Sequence, residues 1–491
     1  MEEKSFFLMR PGQPHRPPNS LCLEKTMREP TRRDFLKTSA ALTGAWGALG
    51  ARSARAYVPG NPPGERPRQD KGIEVLHPRG RVPLSFIIDD STCLVNMGHF
   101  CMPQFAAAWP GRQQYKKPWK TWPQEIPDDF VREFGQWCAT HGVRGKYSIV
   151  PNPACVGWLD RELPGWSRRD LKESLALVRD LMLPNWDIHP EMITHTRVID
   201  LKTGRPLEPA NAATMENSWP QEKKSVDELA EYLSYALKIL KNCGLPCEGV
   251  TTPGGFGNLV KPELSLAAGE ALRDVYGVEL PHYFKYVAGG KDESTEPRIE
   301  HASGLGTANP RAVVNVPAGT GDWFGGWDGD RQSEGDRYAN QNATSGCMVE
   351  LIKRGEPAVM LCHWPGMYTQ GTKQGFAAFK KVVLALETRY NKQTIWMKIS
   401  EIARYWAAKK LTRIEQAERK ITFQAPFGTP RFTVRAPLPV SVAPKLTIQG
   451  RNVPLESVTQ THLLKAGKWI RDPEGMVICF DLPRGLSHLS W

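Results

Sequence analysis

The sequence lacks a long apolar run, an internal repeat and a long low-complexity tract. Its most apolar N-terminal stretch, Thr38–Leu49, is short and rich in small residues, so we expect no stable membrane span. Basic residues are not interleaved with aromatic residues in any run, which argues against nucleic-acid binding despite a net charge of +12. That charge is compatible with an anionic polymer as a partner, or simply with solubility.

The cysteines lack the spacing of a metal site. Ten are present, and the C-x3-C pair Cys243 and Cys247 has no second pair to complete a zinc site. Disulfides would be permitted in an oxidising compartment, but nine cysteines follow the N-terminal region, so at least one thiol must stay free. We expect most of them to be small buried apolar residues.

The N-terminal region carries a targeting pattern. Thr31–Lys37 contains a twin arginine, Thr38–Leu49 follows it, and Ala54–Ala56 offers a small-x-small cleavage site. This resembles a twin-arginine export signal behind a polar leader. We therefore expect a signal with its leader over residues 1–56 and a surface linker over residues 57–79. The protein would be a partner of the twin-arginine export machinery and would be periplasmic, in the cell envelope or secreted.

The rest of the chain changes character once. Up to about residue 416, short apolar runs alternate with helical patterns at 127–138, 167–181, 225–241, 375–390 and 398–409. Repeated β-α units with polar residues at the strand ends indicate a barrel-like or doubly wound α/β domain. From residue 417 to residue 491, alternating segments between Pro/Gly turns predict a small antiparallel β domain.

One apolar run, Leu84–Ile88, ends in two adjacent carboxylates, Asp89 and Asp90. In α/β folds the chemistry lies just beyond the carboxyl ends of the strands. Neighbouring carboxylates repel each other unless a metal, a proton or a partner compensates. The alternative is an Asx-type turn that caps the strand.

Other strand ends supply imidazoles. The segment His189–His195 follows one strand, and His363 ends another. One carboxylate with one or two imidazoles suits a borderline divalent metal such as zinc. A second carboxylate could take a proton from water, and a histidine opposite could protonate a leaving group. Glu191 and His195 would share one face of a helix, whereas on a loop His189 and His195 could converge.

In this order the motifs resemble those of the polysaccharide deacetylase (NodB-like) superfamily, over roughly residues 81–406. The resemblance implies a distorted (β/α) barrel over residues 80–416, followed by the small β domain. Ile87–Asp90 is similar to the first family motif, which implies that Asp89 is the general base and Asp90 a metal ligand. Val359–His363 is similar to the last motif, which implies that His363 is the catalytic histidine.

Two motifs depart from the family pattern. The second family motif has two metal-binding histidines separated by three residues, but His189 and His195 are separated by five. Only Glu191 has the family spacing to His195. The resemblance thus implies His195 as a ligand, with His189 and Glu191 as competing candidates. The third motif keeps its proline and glycine but has Thr251 where the family has arginine.

Two segments are candidates for substrate binding. One is the turn of the third motif, Pro253, Gly254 and Gly255. The other is the loop that contains Trp323 and Trp327, because tryptophan faces suit sugar rings. The same tryptophans could instead fill the core.

The resemblance implies an exported hydrolase with a divalent metal, zinc in the first place, that removes N-acetyl groups from a polysaccharide or a peptidoglycan-type glycan. Two alternatives stay open. One is a metal-dependent hydrolase of another amide or a carbohydrate ester on the same scaffold. The other is a catalytically inactive glycan-binding protein.

Overall fold

The computed structural model describes residues 64–288, 293–439 and 442–491. The predicted signal with its leader and the first part of the predicted linker lie outside the described residues. Within the described ranges, no helix is both long and apolar enough to cross a membrane. All nine cysteines in these ranges are unpaired, and six of them, including Cys93 and Cys362, are fully or almost fully buried in the core.

Helices and strands alternate along the described chain. The helices are α1 Met97–Ala108, α2 Asp128–Thr140, α3 Arg168–Leu177, α4 Val226–Asn242, α5 Lys261–Tyr276, α6 Cys347–Arg354, α7 Trp364–Tyr368, α8 Gln374–Tyr390 and α9 Ile399–Leu411. The strands are β1 Glu74–Val75, β2 Val82–Asp89, β3 Gly145–Ile149, β4 Trp186–Pro190, β5 Ile199–Asp200, β6 Arg205–Pro206, β7 Gly249–Thr251, β8 His282–Phe284, β9 Arg298–Ser303, β10 Arg311–Asn315, β11 Ala358–His363, β12 Thr394–Trp396, β13 Arg413–Ala417, β14 Lys420–Ala425, β15 Thr429–Ala436, β16 Lys445–Ile448, β17 Arg451–Val453, β18 Glu456–Ser457, β19 Lys468–Asp472, β20 Gly475–Leu482 and β21 Gly485–Ser490.

The five predicted helices are confirmed as α2, α3, α4, α8 and α9. Two of them begin where the sequence indicates, because Ser167 and Ser225 each form a capping box with the acidic residue three positions later. The predicted linker is partly wrong. Its C-terminal end forms β1, which pairs with β15, and Val75 is buried.

The strand that ends in Asp89 is central to a parallel sheet. The order is β11-β2-β3-β4, and β12 also pairs with the first residues of β2. Burial on both faces explains the continuous apolar run of β2. The register places His363 beside Asp89 and Ser148 beside His189, so the carboxyl ends of these strands lie at one edge.

A second sheet has the order β7-β8-β10-β9, in which only β9 runs antiparallel to its neighbour. One isolated bridge, between Glu191 and Thr251, links β4 to β7. On the other side, the Gly319 amide donates to the Val359 carbonyl of β11 at 2.8 Å. The mixed α/β class is confirmed. A closed barrel is not confirmed, because the described strands do not form a continuous ladder.

The predicted C-terminal strands are confirmed as two sheets. Their orders are β1-β15-β20-β19-β18 and β13-β14-β21-β16-β17, and all pairs except β18–β19 are antiparallel. This region does not have a core of its own, since Phe423 and Phe432 share a core cluster with Tyr405 and Trp406 of α9. The side chain of Tyr405 holds the layers together: its hydroxyl donates to the Leu76 carbonyl at 2.8 Å and accepts from the Thr433 amide at 3.2 Å.

Tyr405→Phe should lower the free energy of unfolding by about 1–3 kcal/mol, because two backbone groups lose their hydroxyl partner in a buried place. The aromatic packing is kept, so the loss reports on the hydroxyl. Urea unfolding measures it. Tyr235→Phe, at a half-buried ring, is the control and should change stability by less than about 0.5 kcal/mol. Equal stability of the Tyr405 variant and the native protein would contradict the assignment.

Candidate active site

Asp90, Glu191 and His195 come together beyond the ends of β2 and β4. The Asp90 amide donates to Glu191 Oε2 at 2.7 Å. His195 Nε2 lies 2.7 Å from Asp90 Oδ1 and 3.5 Å from Glu191 Oε1. Asp90 and His195 have left-handed backbone conformations, with φ of 58° and 64°. Residues other than glycine adopt this conformation at an energetic cost, and often at functional sites. The surrounding structure therefore imposes this arrangement.

The loop from Glu191 to Arg197 is held by a buried carboxylate, Glu216. Its oxygens accept from the amides of Ile193, Thr194 and His195, at distances of 2.5–3.2 Å. The Tyr232 hydroxyl donates to it at 2.6 Å. Burial raises the pKa of Glu216 to about 7, even though these donors favour the ionised form. The side chain thus fixes the backbone that carries His195.

Asp89 points toward a different partner. Its Oδ1 pairs with the fully buried ammonium of Lys146, whose Nζ also donates to Ser148 Oγ at 2.7 Å and to the Ile88 carbonyl at 3.3 Å. Lys146 therefore has an acceptor for each of its three protons. Lys146 thus fixes Asp89 beside the group formed by Asp90, Glu191 and His195 and is not itself a member of that group.

His363, at the end of β11, is oriented by an acid. Its Nδ1 lies 2.7 Å from Asp322 Oδ2, and both side chains are less than a tenth exposed. The parallel register places His363 next to Asp89. The edge thus carries a carboxylate, a possible cation site and an imidazole in neighbouring positions.

The charges of this edge are unbalanced. Burial raises the pKa of Asp89, and the Glu191 carboxylate raises it further, while Lys146 and His363 act in the opposite direction. Burial also penalises ionised Asp90, but the His195 imidazole outweighs it and lowers the pKa of Asp90. Burial would lower the pKa of His195, yet Asp90 raises it well above its usual value. Three buried carboxylates thus meet one lysine and one imidazolium, and a cation could replace the imidazolium proton.

The residues fit a divalent cation. Neither oxygen of Asp90 accepts a hydrogen bond of regular geometry, although His195 Nε2 is close to one of them. The ligating atoms of Asp90, Glu191 and His195 lie within 4.8 Å of one another. Two carboxylates and one imidazole form a donor set that zinc and similar borderline cations accept.

His189 does not join this group. Its Nε2 lies 2.9 Å from His282 Nε2, in a second group that also contains Asp187. Burial lowers the pKa of both imidazoles, that of His282 to about 3. The geometry therefore brings Glu191, rather than His189, to Asp90 and His195. The reason is the alternation of side chains along a strand, which puts Asp187, His189 and Glu191 on one face of the sheet. Of these three residues, only Glu191 lies beyond the end of β4.

The predicted substrate-binding residues lie in two places. The turn of Pro253, Gly254 and Gly255 packs against the 216–219 segment, since the Gly255 amide donates to the Asn217 carbonyl at 2.7 Å. Lys285 Nζ donates to the Gly254 carbonyl at 3.0 Å. These positions make the turn a wall next to the His195 loop, and a substrate contact there stays a prediction.

The two tryptophans of the other loop are packed by protein groups. Trp327 is 9 % exposed and touches the rings of Phe105 and Tyr115. Trp323 stacks under the guanidinium of Arg337 at 4.3 Å and is partly exposed. The packing favours a core role for Trp327 and leaves sugar stacking possible at Trp323.

Three side chains of this edge were not predicted: Lys146, Glu216 and Asp322. Lys146 stands inside a buried apolar strand, where an unpaired lysine is costly, so the sequence did hold a signal for it. Asp322 precedes the tryptophan loop, but its pairing with His363 spans 41 residues. Nothing local in the sequence marks Glu216.

Comparison with known proteins gives little beyond this geometry. No protein-family model and no curated protein matches the chain. Among the solved structures that match is a Parabacteroides distasonis protein provisionally described as a glycoside hydrolase/deacetylase, at 12% identity and a TM-score of 0.36, over 72% of this chain and 81% of that one. A similarity this weak says nothing about activity, so any inference about activity rests on the side chains of the site.

Glu216→Gln should lower the free energy of unfolding by about 2–4 kcal/mol, because an amide NH₂ would replace an oxygen that accepts from backbone amides. The loosened loop should also lower zinc affinity about 10–100-fold, as expected when a group that orients a ligand is lost. Urea unfolding and zinc titration measure the two effects. Glu173→Gln, an exposed carboxylate, should change neither. Unchanged zinc affinity in the Glu216 variant would contradict the positioning role.

Lys285→Met should stabilise the protein most at pH 7 and below. Burial lowers the pKa of Lys285 to about 7, so between that pH and about 10.4 the unfolded chain binds more protons and native stability rises with pH. Methionine removes this dependence, so the stability of the variant relative to the native protein should fall by about 3–4 kcal/mol from pH 7 to pH 10. Unfolding at several pH values tests it against the exposed Lys238→Met. A gain that does not vary with pH would contradict the assignment.

Proposed function

We propose that the protein is an exported, cation-dependent hydrolase that removes acetyl groups from an N-acetylated glycan. The observation that carries the proposal is the juxtaposition of the Asp90–Glu191–His195 group with Asp89 and with His363, its neighbour on the adjacent strand. A cation site with an acid and a base beside it suits hydrolysis of an amide or ester. The order of the motifs along the chain favours the acetamide of a sugar.

The cation would be held by Asp90, Glu191 and His195. When bound, it supplies Lewis acidity to the acetyl carbonyl and to water beside it. The protein supplies the geometry: the Asp90 amide is fixed by Glu191, and His195 is fixed through the amides that Glu216 holds. Glu191 therefore has two roles, as a ligand and as the acceptor that sets the position of Asp90.

Asp89 takes the proton of the attacking water. Lys146 and Ser148 bind one of its oxygens, and this keeps the carboxylate in a single orientation beside Asp90. An uncharged residue at position 146 would leave Asp89 buried without a counter-ion. The positively charged side chain next to Asp89 is thus Lys146 of β3. The third motif does not supply one, because position 251 is a threonine where the family has arginine.

His363 gives a proton to the departing amine. Asp322 accepts from its Nδ1, so the imidazole exchanges its proton at Nε2. The Asp322 carboxylate also stabilises the imidazolium form of His363 before the proton is transferred to the amine. Asp89 and His363 are register partners on adjacent strands, so the base and the acid would act side by side on one reacting group.

Asp89→Asn should keep bound zinc and lower the turnover number at least about 100-fold, because the amide cannot accept the proton of water. Asp90→Asn combined with His195→Gln should lose both the zinc and the turnover. Zinc is measured on the purified protein, and acetate release is measured on chitin oligomers, peptidoglycan and acetylated xylan.

Asp180→Asn, at an exposed carboxylate, is the control and should behave as the native protein. Normal turnover by Asp89→Asn would refute the proton transfer. Release of acetate from xylan alone would replace the amide by an ester as the substrate. Native protein that binds zinc but releases no acetate from any of the three glycans would contradict the proposed substrate class.

A further inference from the structure

A second group of metal-ligating side chains lies inside the fold, away from the proposed catalytic centre. Asp187 and His189 project from β4 and His282 from β8, and their ligating atoms lie within 4.8 Å of one another. In the register of the parallel sheet, Asp187 and His189 stand beside Lys146 and Ser148. They are therefore about one or two strand repeats, each of about 7 Å, below Glu191. No step of the proposed reaction uses them.

The two imidazoles contact each other through their Nε2 atoms, and the hydrogen-bonding capacity of the pair is incompletely satisfied by the described residues. His189 Nε2 and His282 Nε2 are 2.9 Å apart, and both side chains are fully buried. At most one hydrogen can lie between the two nitrogens. His282 Nδ1 has no hydrogen-bond partner within the described ranges, while His189 Nδ1 lies 3.3 Å from Thr251 Oγ1. A buried imidazole left this way is costly unless something binds it.

Gly249 of β7 leaves the space beside these nitrogens clear of any side chain. A Cβ atom on Gly249 would lie 2.4 Å from His189 Nε2 and 2.5 Å from His282 Nε2. Any other residue would therefore displace both rings. A point at nearly equal distance from two imidazole nitrogens is where a metal ion bound by both would lie. The two distances are only slightly longer than a zinc–nitrogen bond, which is about 2.0–2.1 Å.

Asp187 supplies a third donor with a fixed orientation. Its Oδ1 accepts from the Ser400 hydroxyl at 2.7 Å and its Oδ2 from the Ser400 amide at 2.6 Å. Each carboxylate oxygen keeps a further lone pair. Ser400 also lines a cleft of about 200 Å³ together with Glu248 and Arg404, so this cleft extends to the residue that binds Asp187.

Two of the three neighbouring cations have an acidic partner. Lys146 is bound to Asp89 and Arg404 Nη1 lies 2.8 Å from Glu279 Oε2, while Lys398 Nζ donates to the neutral Leu183 carbonyl. Glu248, next to β7, adds a negative charge near Asp187. The local field is thus not closed to a positive ion.

We propose that Asp187, His189 and His282 hold a second divalent cation of the zinc class, separate from the Asp90 centre. Two imidazoles and one carboxylate are the donors such a cation prefers. The ion would join β4 to β8 across β7. Within the described ranges the backbones of β4 and β7 are joined by one isolated bridge, between Glu191 and Thr251, so the second cation would be structural and would stabilise the fold.

Zinc stoichiometry tests the proposal. The full chain is stripped with a chelator, reloaded with zinc chloride, dialysed and analysed for zinc, and its thermal unfolding is followed with and without zinc. The native protein should hold about two zinc ions per chain, since each three-ligand group binds one. His282→Leu should hold one. The Asp90→Asn, His195→Gln double variant should also hold one, and zinc should still raise its unfolding midpoint. His488→Gln, remote in the C-terminal β region, is the matched control and should hold two.

The variants separate this proposal from the catalytic one. Native protein with one zinc that is lost in the double variant would overturn the second site and leave the catalytic centre standing. One zinc that is retained in the double variant but lost in His282→Leu would support the second site and contradict the first. If His282→Leu does not fold, the native protein and the double variant still decide, because neither alters the second group.

Discussion

The arrangement of the strand edge depends on the need to compensate buried negative charge. Asp89, Asp90 and Glu191 are almost fully buried within one small region, where uncompensated carboxylates would strongly oppose folding. The protein compensates one of them with a lysine from β3 and leaves the other two facing an imidazole. In the proposed function this division separates their roles: the carboxylate paired with Lys146 would act as the base, and the two without a lysine or arginine partner would bind the divalent cation.

The surrounding elements serve this division. Burial of β2 on both faces sets the direction in which Asp89 and Asp90 leave the sheet. Glu216 gathers three successive amides and so shapes a loop that has no regular secondary structure of its own. Asp322 reaches His363 from a loop position 41 residues earlier in the chain. The C-terminal sheets contribute through the core that they share with α9 and with Ile87 of β2.

The sequence predicted the parts of this account that are local. Apolar runs, capping boxes and the two adjacent aspartates lie within a few residues of one another, so the helices and the strand β2 could be predicted directly. The spacing left His189 and Glu191 as competing partners of His195, and the structure has a loop rather than a helix between Glu191 and His195. Contacts between distant segments could not be predicted. The Lys146–Asp89 pair, the hold of Glu216 on the His195 loop and the meeting of His189 with His282 all depend on which strands become neighbours. The closure of a barrel depends on the same information, and a single bridge between β4 and β7 takes the place of the expected ladder.

In the proposed site, Asp90, Glu191 and His195 bind one divalent cation together. Anomalous diffraction at the zinc edge from crystals of the zinc-loaded protein would locate that cation. We expect a zinc peak about 2.0–2.2 Å from His195 Nε2 and from one oxygen each of Asp90 and Glu191. A fully loaded crystal in which no zinc lies within reach of Asp90 and His195 would contradict it.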